Sequence, residues 1–393
     1  MRERDLVAVA RAPGPDWLDL VPQIWAAGAA FIPIDPRLSA PQAEALLRLA
    51  RPTVAITEVD GHAAGRRMDD GVPADDGVAL VVHTSGTGGV SKLAQFERAA
   101  VAAAVTISAD ALAATSEDRW LCCLPLAHIG GLLVALRGVL LGAPVTIHTR
   151  FDPSAFMREK RSVFTSLVPT MLRRILDAGA DLAAYRAILV GGDELPPADR
   201  ERGGPAVVQT YGLTESCGGI VYDGRALPSV EIRLGAASAI ELRGPTLMRG
   251  YRSDPQATAT AFTSDGWLRT GDIGEIDQNG RLRVEGRADD LIISGGEKVW
   301  PGEVESAVRT HPKVLDVAAA GRPDAEWGQR VTVWVVPVDP RDPPTLEELR
   351  AFSAETLARH RGPRELVLVE TLPRTASGKV RRAELPGART DPE

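Results

Sequence analysis

Thr84-Ser85-Gly86-Thr87-Gly88-Gly89-Val90-Ser91-Lys92 comes one residue after the apolar run Val78-Ala79-Leu80-Val81-Val82. A buried strand that empties into glycines, hydroxyls and one lysine points to an anion. Glycine lets backbone N–H groups come close to a ligand, and hydroxyls and an ammonium add donors. Phosphate is the expected guest. The spacing is not the P-loop pattern G-x-x-x-x-G-K-[ST], because Lys92 lies three residues past Gly89 and Leu93 follows it. By itself the stretch also reads as a Ser/Gly turn between two elements.

Other apolar runs end in the same way. Ala187-Ile188-Leu189-Val190 precedes Gly191-Gly192-Asp193, and Ala206-Val207-Val208 precedes Thr210-Tyr211-Gly212. Helix-like stretches such as Thr170–Ala178 lie between them. The alternation predicts an α/β domain with ligands at the strand ends. Leu132–Val145 reads as a buried helix with a strand behind it, since it contains Arg137 and is too short to span a bilayer. The polar run Gly61–Gly77 reads as a surface loop or subdomain joint.

The texture changes after about residue 285. A strand at Arg281–Val284 leads into Gly286-Arg287-Ala288-Asp289-Asp290. A helix is expected at Glu303–Thr310, and strands at Val314–Ala319 and Arg330–Val336. Pro337–Pro344 is a loop. A longer helix from Thr345 to His360 opens on a Thr345…Glu348 capping box, and Leu366–Val369 is the last strand. Together these make a small α+β domain of roughly 100 residues.

Composition narrows the function classes. A chain of 393 residues suggests two or three domains, and 44% hydrophobic residues can build a large core. A net charge of −7 argues against nucleic acid as a partner but leaves small anions open. Cys122, Cys123 and Cys217 are odd in number and lack metal-ligand spacing, so a reducing cytoplasm is expected rather than a disulfide framework. The start, Arg2-Glu3-Arg4-Asp5, has no signal-peptide core, and no membrane partner is expected.

Four further stretches can carry chemistry. In Tyr211-Gly212-Leu213-Thr214-Glu215 the ring can stack on a purine, the threonine hydroxyl can donate to phosphate and the carboxylate can hold Mg²⁺. The same residues also read as a plain strand-to-helix turn. Gly266–Asp272 places one carboxylate in a turn, where Asp272 can accept both ribose hydroxyls with Arg287 as its partner, or be a surface aspartate. Lys379, at the end of Pro373-Arg374-Thr375-Ala376-Ser377-Gly378-Lys379, can close over a developing phosphoryl charge, or be a solvated lysine beside Arg381 and Arg382. His128, in Leu124-Pro125-Leu126-Ala127-His128-Ile129-Gly130-Gly131, is either a core histidine or a group beside a substrate carboxylate.

In this order the segments resemble the adenylate-forming superfamily of acyl-CoA ligases, non-ribosomal adenylation domains and luciferases. Tyr211–Glu215, Gly266–Asp272, Gly286–Glu305 (GRADDLIISGGEKVWPGEVE) and Pro373–Lys379 carry the resemblance, which covers nearly the whole chain. It implies a large N-terminal α/β domain over residues 1–288 and a small mobile α+β C-terminal domain over residues 289–393, hinged at Asp289. It also implies that a carboxylate attacks the α-phosphate of ATP, and that a thiol, usually that of coenzyme A, then takes the acyl group. By position, Thr84, Ser85, Gly86, Thr87 and Lys92 would hold the triphosphate. Tyr211 would stack on adenine beside Gly191, Gly192 and Gly212, and Thr214 would touch the α-phosphate. Glu215 would ligate Mg²⁺, while Asp272 and Arg287 would hold the ribose. Lys379 would bridge carboxylate and phosphate, and rotation would replace it with Gly295-Gly296-Glu297 for the thiol step.

The chain departs from the family loop T-S-G-T-T-G-x-P-K-G at Gly88, Ser91 and Leu93, which should leave the loop looser. Asp193 stands where the family carries a small residue near adenine. The stretch before residue 84 is short, so the usual N-terminal subdomain looks truncated. That shortness, Thr165–Leu172 and Glu215–Gly224 resemble the o-succinylbenzoate–CoA ligases of menaquinone synthesis, especially actinobacterial ones. In this branch Gly218-Gly219 would leave room for an aromatic ring. Ser166, Thr170, Ser216 and His128 would be donors to a second carboxylate. Other expectations stay beside it: another aryl or short-chain acid, a carrier-protein thiol as acceptor, or a nucleotide-binding homologue without turnover. A homodimer is plausible for such ligases.

Overall fold

The computed structural model describes residues 1–59, 62–84, 91–159, 163–374 and 379–388. The chain divides into two compact units: Met1–Arg233 with Glu241–Thr270, and Leu234–Ile240 with Gly271–Glu393. The expected hinge at Asp289 lies later in the chain than this division, which records packing and not rotation.

The first unit holds two sheets. Strands β1 (Leu6–Ala10), β2 (Ala30–Pro33), β3 (Val54–Val59), β4 (His62–Arg67), β5 (Val78–Thr84) and β6 (Lys92–Glu97) form one sheet in the order β6-β5-β2-β1-β3-β4, with Gly250–Tyr251 added outside β6. Its centre is parallel, and β3–β4 and β5–β6 are antiparallel. The expected loop at Gly61–Gly77 is therefore corrected, because His62–Arg67 within it form edge strand β4 against β3. An edge strand exposed on its outer face needs no apolar alternation, so the sequence gives little sign of it.

The second sheet contains β7 (Arg119–Cys122), β8 (Val145–Ile147), β9 (Val163–Leu167), β10 (Tyr185–Val190), β11 (Val207–Leu213), β12 (Gly218–Tyr222) and β13 (Arg225–Ala226), in the order β13-β12-β11-β10-β9-β7-β8. Pairing is parallel from β8 to β11 and antiparallel beyond it. Helices α1 (Pro15–Ala26), α2 (Ala40–Ala50), α3 (Arg98–Ala111), α4 (Ile129–Leu141), α5 (Pro153–Arg158), α6 (Pro169–Asp177) and α7 (Pro197–Gly203) supply the flanking layers. The buried helix and following strand expected in Leu132–Val145 are α4 and β8. Helix α4 packs against α1 and α3, and Trp17 and Trp25 of α1 meet Phe31 of β2. No helix among the described residues is long and apolar enough to cross a membrane.

The division between units falls in strands β14 (Glu231–Leu234), β15 (Ala239–Arg243) and β17 (Leu268–Ile276). Gly250–Tyr251 is β16, followed by α8 (Pro255–Ala261), and β18 is Leu282–Arg287. The second unit is built on the antiparallel pair β21 (Val314–Asp324) and β22 (Gly328–Pro337), after β19 (Ile292–Ser294), β20 (Glu297–Val299) and α9 (Pro301–Arg309). Helix α10 (Leu346–Ser353) and strand β23 (Glu365–Leu368) complete it, with β23 parallel to β22. Both faces of β22 are buried. Val331, Val333 and Val335 join Val304, Val308 and Leu349, while Trp334 meets Leu372 and Leu385.

The capping box forms: Thr345 Oγ1 accepts from the Glu348 N–H at 3.1 Å and Glu348 Oε2 from the Thr345 N–H at 2.7 Å. The helix nevertheless stops at Ser353 and does not reach His360. The buried Ser353 hydroxyl donates back to the Arg350 carbonyl at 3.3 Å, a local bond that competes with helix propagation.

Leu93 settles one departure from the family loop. It is 1% exposed and packs in the core of the first sheet with Leu6, Ile32, Leu46 and Val81. The side chain is a core residue of β6 and not slack in the loop. Leu93→Ala should lower the unfolding free energy by about 3 kcal/mol, as truncation of a buried leucine does. Urea denaturation reads this directly, and an unchanged midpoint would contradict the packing role.

Candidate active site

The candidate site is built at strand ends. β5 and β6 place Thr84 opposite Lys92, so the two ends of the Ser/Gly loop are pinned to each other. Thr84 is buried. Ser85, Gly86, Thr87 and Gly88, named from the sequence, lie outside the described residues.

In the second sheet, β10 delivers Gly191 and Gly192 beside β11. A Cβ at Gly191 would stand 2.2 Å from Thr210 Oγ1, and one at Gly212 would stand 2.0 Å from the Gly218 carbonyl oxygen. Only glycine allows both approaches. Tyr211 was expected after a strand and lies within β11 instead, because β11 continues through Leu213 to pair with β12.

The Thr214–Cys217 turn joins β11 to β12, and Cys217 adopts φ 56 there. Ser216 is fully buried, and its hydroxyl accepts from the Leu213 N–H at 2.8 Å and meets the Gly218 carbonyl at 2.9 Å. These bonds make it a strap for the turn. At Gly218, where φ is +93, Leu133 Cδ1 would lie 2.7 Å from an added Cβ. At Gly219 an added Cβ would meet Thr210 at 3.1 Å.

Glu215 is held from a distance in sequence. Tyr251 donates its hydroxyl to Glu215 Oε1 at 2.8 Å, and the Met248 N–H donates to the Glu215 carbonyl at 2.8 Å. Tyr251 is paired with Ala94 of β6, so this contact ties the two sheets together. Lys92 Nζ sits 4.8 Å from the centre of the same ring, within cation–π range. The structure thus brings together two residues named from the sequence, Lys92 and Glu215, through a third that sequence reading missed. The one local signal was an aromatic residue in Arg249-Gly250-Tyr251-Arg252. Arg252 locks that segment by donating to the carbonyls of Ala50, Val72 and Pro73.

His128 stands at the N-cap of α4, and its buried Nε2 has no hydrogen-bond partner among the described residues. Burial holds its pKa below the ordinary value; Asp35 opposes this and Arg37 adds to it. Asp35 is clamped by Arg37 through bonds of 2.9 and 2.6 Å. His83 is also lowered, first by burial and then by His128. Both imidazoles are neutral at pH 7. Ser166 is half-buried in β9 and Thr170 is exposed at the start of α6.

The three cysteines are free and buried. Burial pushes the thiols of Cys122 and Cys217 up to about 12 and raises that of Cys123 as well. None is a thiolate nucleophile at neutral pH.

In the second unit, Asp272 and Arg287 face each other across the β17–β18 pair, and Arg287 Nη1 donates to Asp272 Oδ1 at 3.1 Å. Their fifteen-residue spacing is the length of a hairpin. Asp272 is 5% exposed in a strand, which corrects the turn expected for it. Asp289 lies in a short 3₁₀ turn, Ala288–Asp290. Gly295 and Gly296 form the two-residue turn between β19 and β20 with φ 61 and 82, left-handed at both positions as such hairpins require. Lys379 is exposed, next to a β-bridge between Arg374 and Val380.

Among the described residues no three His, Cys, Asp or Glu side chains form a metal cage. A lone carboxylate such as Glu215 still suits Mg²⁺, which binds through one or two carboxylates together with substrate phosphates.

The AMP-binding enzyme model matches residues 59–252, and the model for the C-terminal domain of AMP-binding enzymes matches residues 303–379. The chain is 41% identical over 331 residues to a probable 2-succinylbenzoate–CoA ligase of Mycobacterium tuberculosis, covering 80% of this chain and 85% of that protein. It is 33% identical over 425 residues to an indoleacetate–CoA ligase of Aromatoleum aromaticum, covering 91% and 83%. A solved o-succinylbenzoate CoA synthetase from Bacillus subtilis, in complex with the acyl-adenylate intermediate OSB-AMP, matches with a TM-score of 0.87 and 30% identity over 99% of this chain and 89% of that one. With both family models in chain order and a relative this similar along most of its length, the chain belongs to the AMP-binding enzyme family, the adenylate-forming superfamily its motifs resemble.

Proposed function

We propose that this chain is an ATP-dependent acid–CoA ligase that works through an acyl-adenylate, with 2-succinylbenzoate as its acid. The observation that carries the chemistry is the Lys92–Tyr251–Glu215 set, which fixes a cation and a carboxylate around one ring at the base of the Ser/Gly loop. The acid is supported by the Mycobacterium tuberculosis relative and the Bacillus subtilis structure.

In the first step a carboxylate oxygen of the acid bonds to the α-phosphorus, and the bond to the β-phosphate oxygen breaks. Pyrophosphate leaves with the electron pair. Thr84, Ser85, Gly86, Thr87 and Lys92 hold the triphosphate, and Thr214 donates to the α-phosphate. Tyr211 stacks on adenine beside Gly191, Gly192 and Gly212. Asp272, oriented by Arg287, accepts the ribose hydroxyls. Lys379 bridges the attacking carboxylate and the phosphoryl oxygens, where charge builds up. Glu215 would hold Mg²⁺, which would supply charge neutralisation on the phosphates.

In the second step the CoA sulfur bonds to the acyl carbon, AMP leaves and the thiol proton passes to solvent. Rotation of the C-terminal domain at Asp289 withdraws Lys379 and presents Gly295-Gly296-Glu297 to the thiol. His128, Ser166 and Thr170 face the acid. A neutral His128 suits this role, because it can bond a carboxylate or a keto oxygen without fixing a charge. Unpaired, protonated cysteines suit a reducing cytoplasm.

A second acid is favoured by one observation, the likeness to an indoleacetate–CoA ligase. Thioester formation by the purified protein with ATP, Mg²⁺ and CoA, over 2-succinylbenzoate, indoleacetate, benzoates and short fatty acids, separates the readings. Preference for 2-succinylbenzoate is expected. Activity confined to other acids would overturn that choice and keep the mechanism. Acylation of a carrier protein but not of CoA would replace the thiol, and nucleotide binding without turnover would overturn the ligase reading.

The roles give three expectations. Lys379→Ala should slow adenylation by about 10²-fold or more while sparing thioester formation from preformed acyl-adenylate. Equal losses in both steps would remove Lys379 from the first. Asp289→Pro should do the reverse, and unchanged thioester formation would count against the hinge. Glu215→Ala should raise the Mg²⁺ concentration needed for half-maximal adenylation; an unshifted Mg²⁺ titration would take Glu215 out of the metal's ligands.

A further inference from the structure

Glu305 ends the motif that begins at Gly286, and no step of the two-step reaction uses it. Its carboxylate lies on α9 and is 12% exposed. Burial pushes its pKa above the ordinary value, with Arg382 opposing. Glu305 Oε1 accepts from the Ala319 N–H at 2.8 Å and from Arg382 Nη2 at 2.6 Å. Arg382 Nε donates to the Ala319 carbonyl at 3.1 Å, and its Nη1 reaches Asp290 Oδ2 at 3.4 Å. The ion pair therefore grips both backbone polar groups of one residue in β21. Arg382 is three residues past Lys379, and Asp290 directly follows Asp289.

The other side of the lysine loop is tied as well. Arg374 Nη2 donates to Asp316 Oδ2 at 2.6 Å, and Arg309 Nη1 reaches the other oxygen of that carboxylate at 3.0 Å. The Arg381 N–H donates to the Pro373 carbonyl at 2.8 Å. Beyond the clamp, Leu385 is buried against Trp334, whose Nε1 donates to the Pro386 carbonyl at 3.0 Å. The chain leaving Lys379 is thus fixed to the same strand pair that follows the hinge segment.

We propose that Arg382 is a positioning residue for Lys379: by bonding Glu305, Ala319 and Asp290 it makes the base of the lysine loop and the segment after Asp289 one rigid piece, so that rotation at Asp289 delivers the ammonium to a fixed place. The inference rests on the roles proposed above for Lys379 and Asp289. A buried ion pair is weak evidence for stability, since an apolar pair of similar volume often serves as well. Placement is a different matter, because a shift of about 1 Å at a reacting group can cost about 10²-fold in rate.

The test measures both half-reactions in the full-length protein: acid-dependent ATP–pyrophosphate exchange, and thioester formation from preformed acyl-adenylate. The variants are Arg382→Gln, Arg382→Lys, Glu305→Gln and the apolar double Arg382→Met with Glu305→Leu, with Lys379→Ala in parallel and thermal unfolding recorded for each. Arg382→Gln should lower kcat for exchange by about 10-fold or more, with KM for ATP and the thioester step moving by less than about threefold. Arg382→Lys should restore part of the loss, because it keeps a charge without the fork. The double variant should fold with an ordinary melting temperature and still be slow in exchange. Equal loss of both half-reactions, or a folded double variant with wild-type exchange, would overturn the inference. If Lys379→Ala cripples exchange and the Arg382 variants do not, the inference alone falls. If Lys379→Ala spares exchange, the lysine's role falls and the inference falls with it.

Discussion

Close backbone approach around β11 is the constraint on which the site in the first unit depends. This strand is parallel to β10 on one side and antiparallel to β12 on the other. Gly191 lets the end of β10 lie against Thr210, and Gly212 lets β11 lie against the carbonyl of Gly218, where an added Cβ would be 2.0 Å away. The change from parallel to antiparallel pairing forces the chain to turn back at Thr214–Cys217. That turn sets Glu215 where Tyr251, carried by the other sheet, can bond it. A side chain at either glycine would push strands apart and lose the alignment of Tyr211, Thr214 and Glu215 together.

The chemistry of the protein's own groups is correspondingly restrained. Its thiols are buried and protonated, and burial holds His128 and His83 below the ordinary imidazole pKa. No described cluster forms a metal cage. What remains are single charged groups: Lys92 and Glu215, both in contact with Tyr251, in the first unit, and the Asp272–Arg287 pair and Lys379 in the second. Such a set suits phosphoryl chemistry, in which nucleophile and leaving group both belong to substrates and the protein positions and neutralises.

Much of this was legible in the sequence, for identifiable reasons. Runs such as Val78–Val82 and Ala187–Val190 are buried on both faces, so apolar content alone marks them as strands. The Asp272–Arg287 partnership was readable because both ends of a hairpin lie close in sequence. Tyr251 was not readable, since its bond to Glu215 joins strands of different sheets and no local pattern records such a contact. The local contacts of Ser216 and Gly218 were hidden for a related reason. A hydroxyl or a glycine beside a substrate motif has the same letter whether it serves the ligand, the turn or a neighbouring Leu133. Strand β4 was missed because an exposed edge strand shows no apolar periodicity.

Everything proposed for this scaffold depends on its activating a carboxylic acid as the adenylate. Isotope exchange between pyrophosphate and ATP, measured with Mg²⁺ and without CoA, tests that step in isolation. Exchange should depend on added acid and be strongest with 2-succinylbenzoate. Saturable ATP binding with no exchange, whichever acid is supplied, would contradict it.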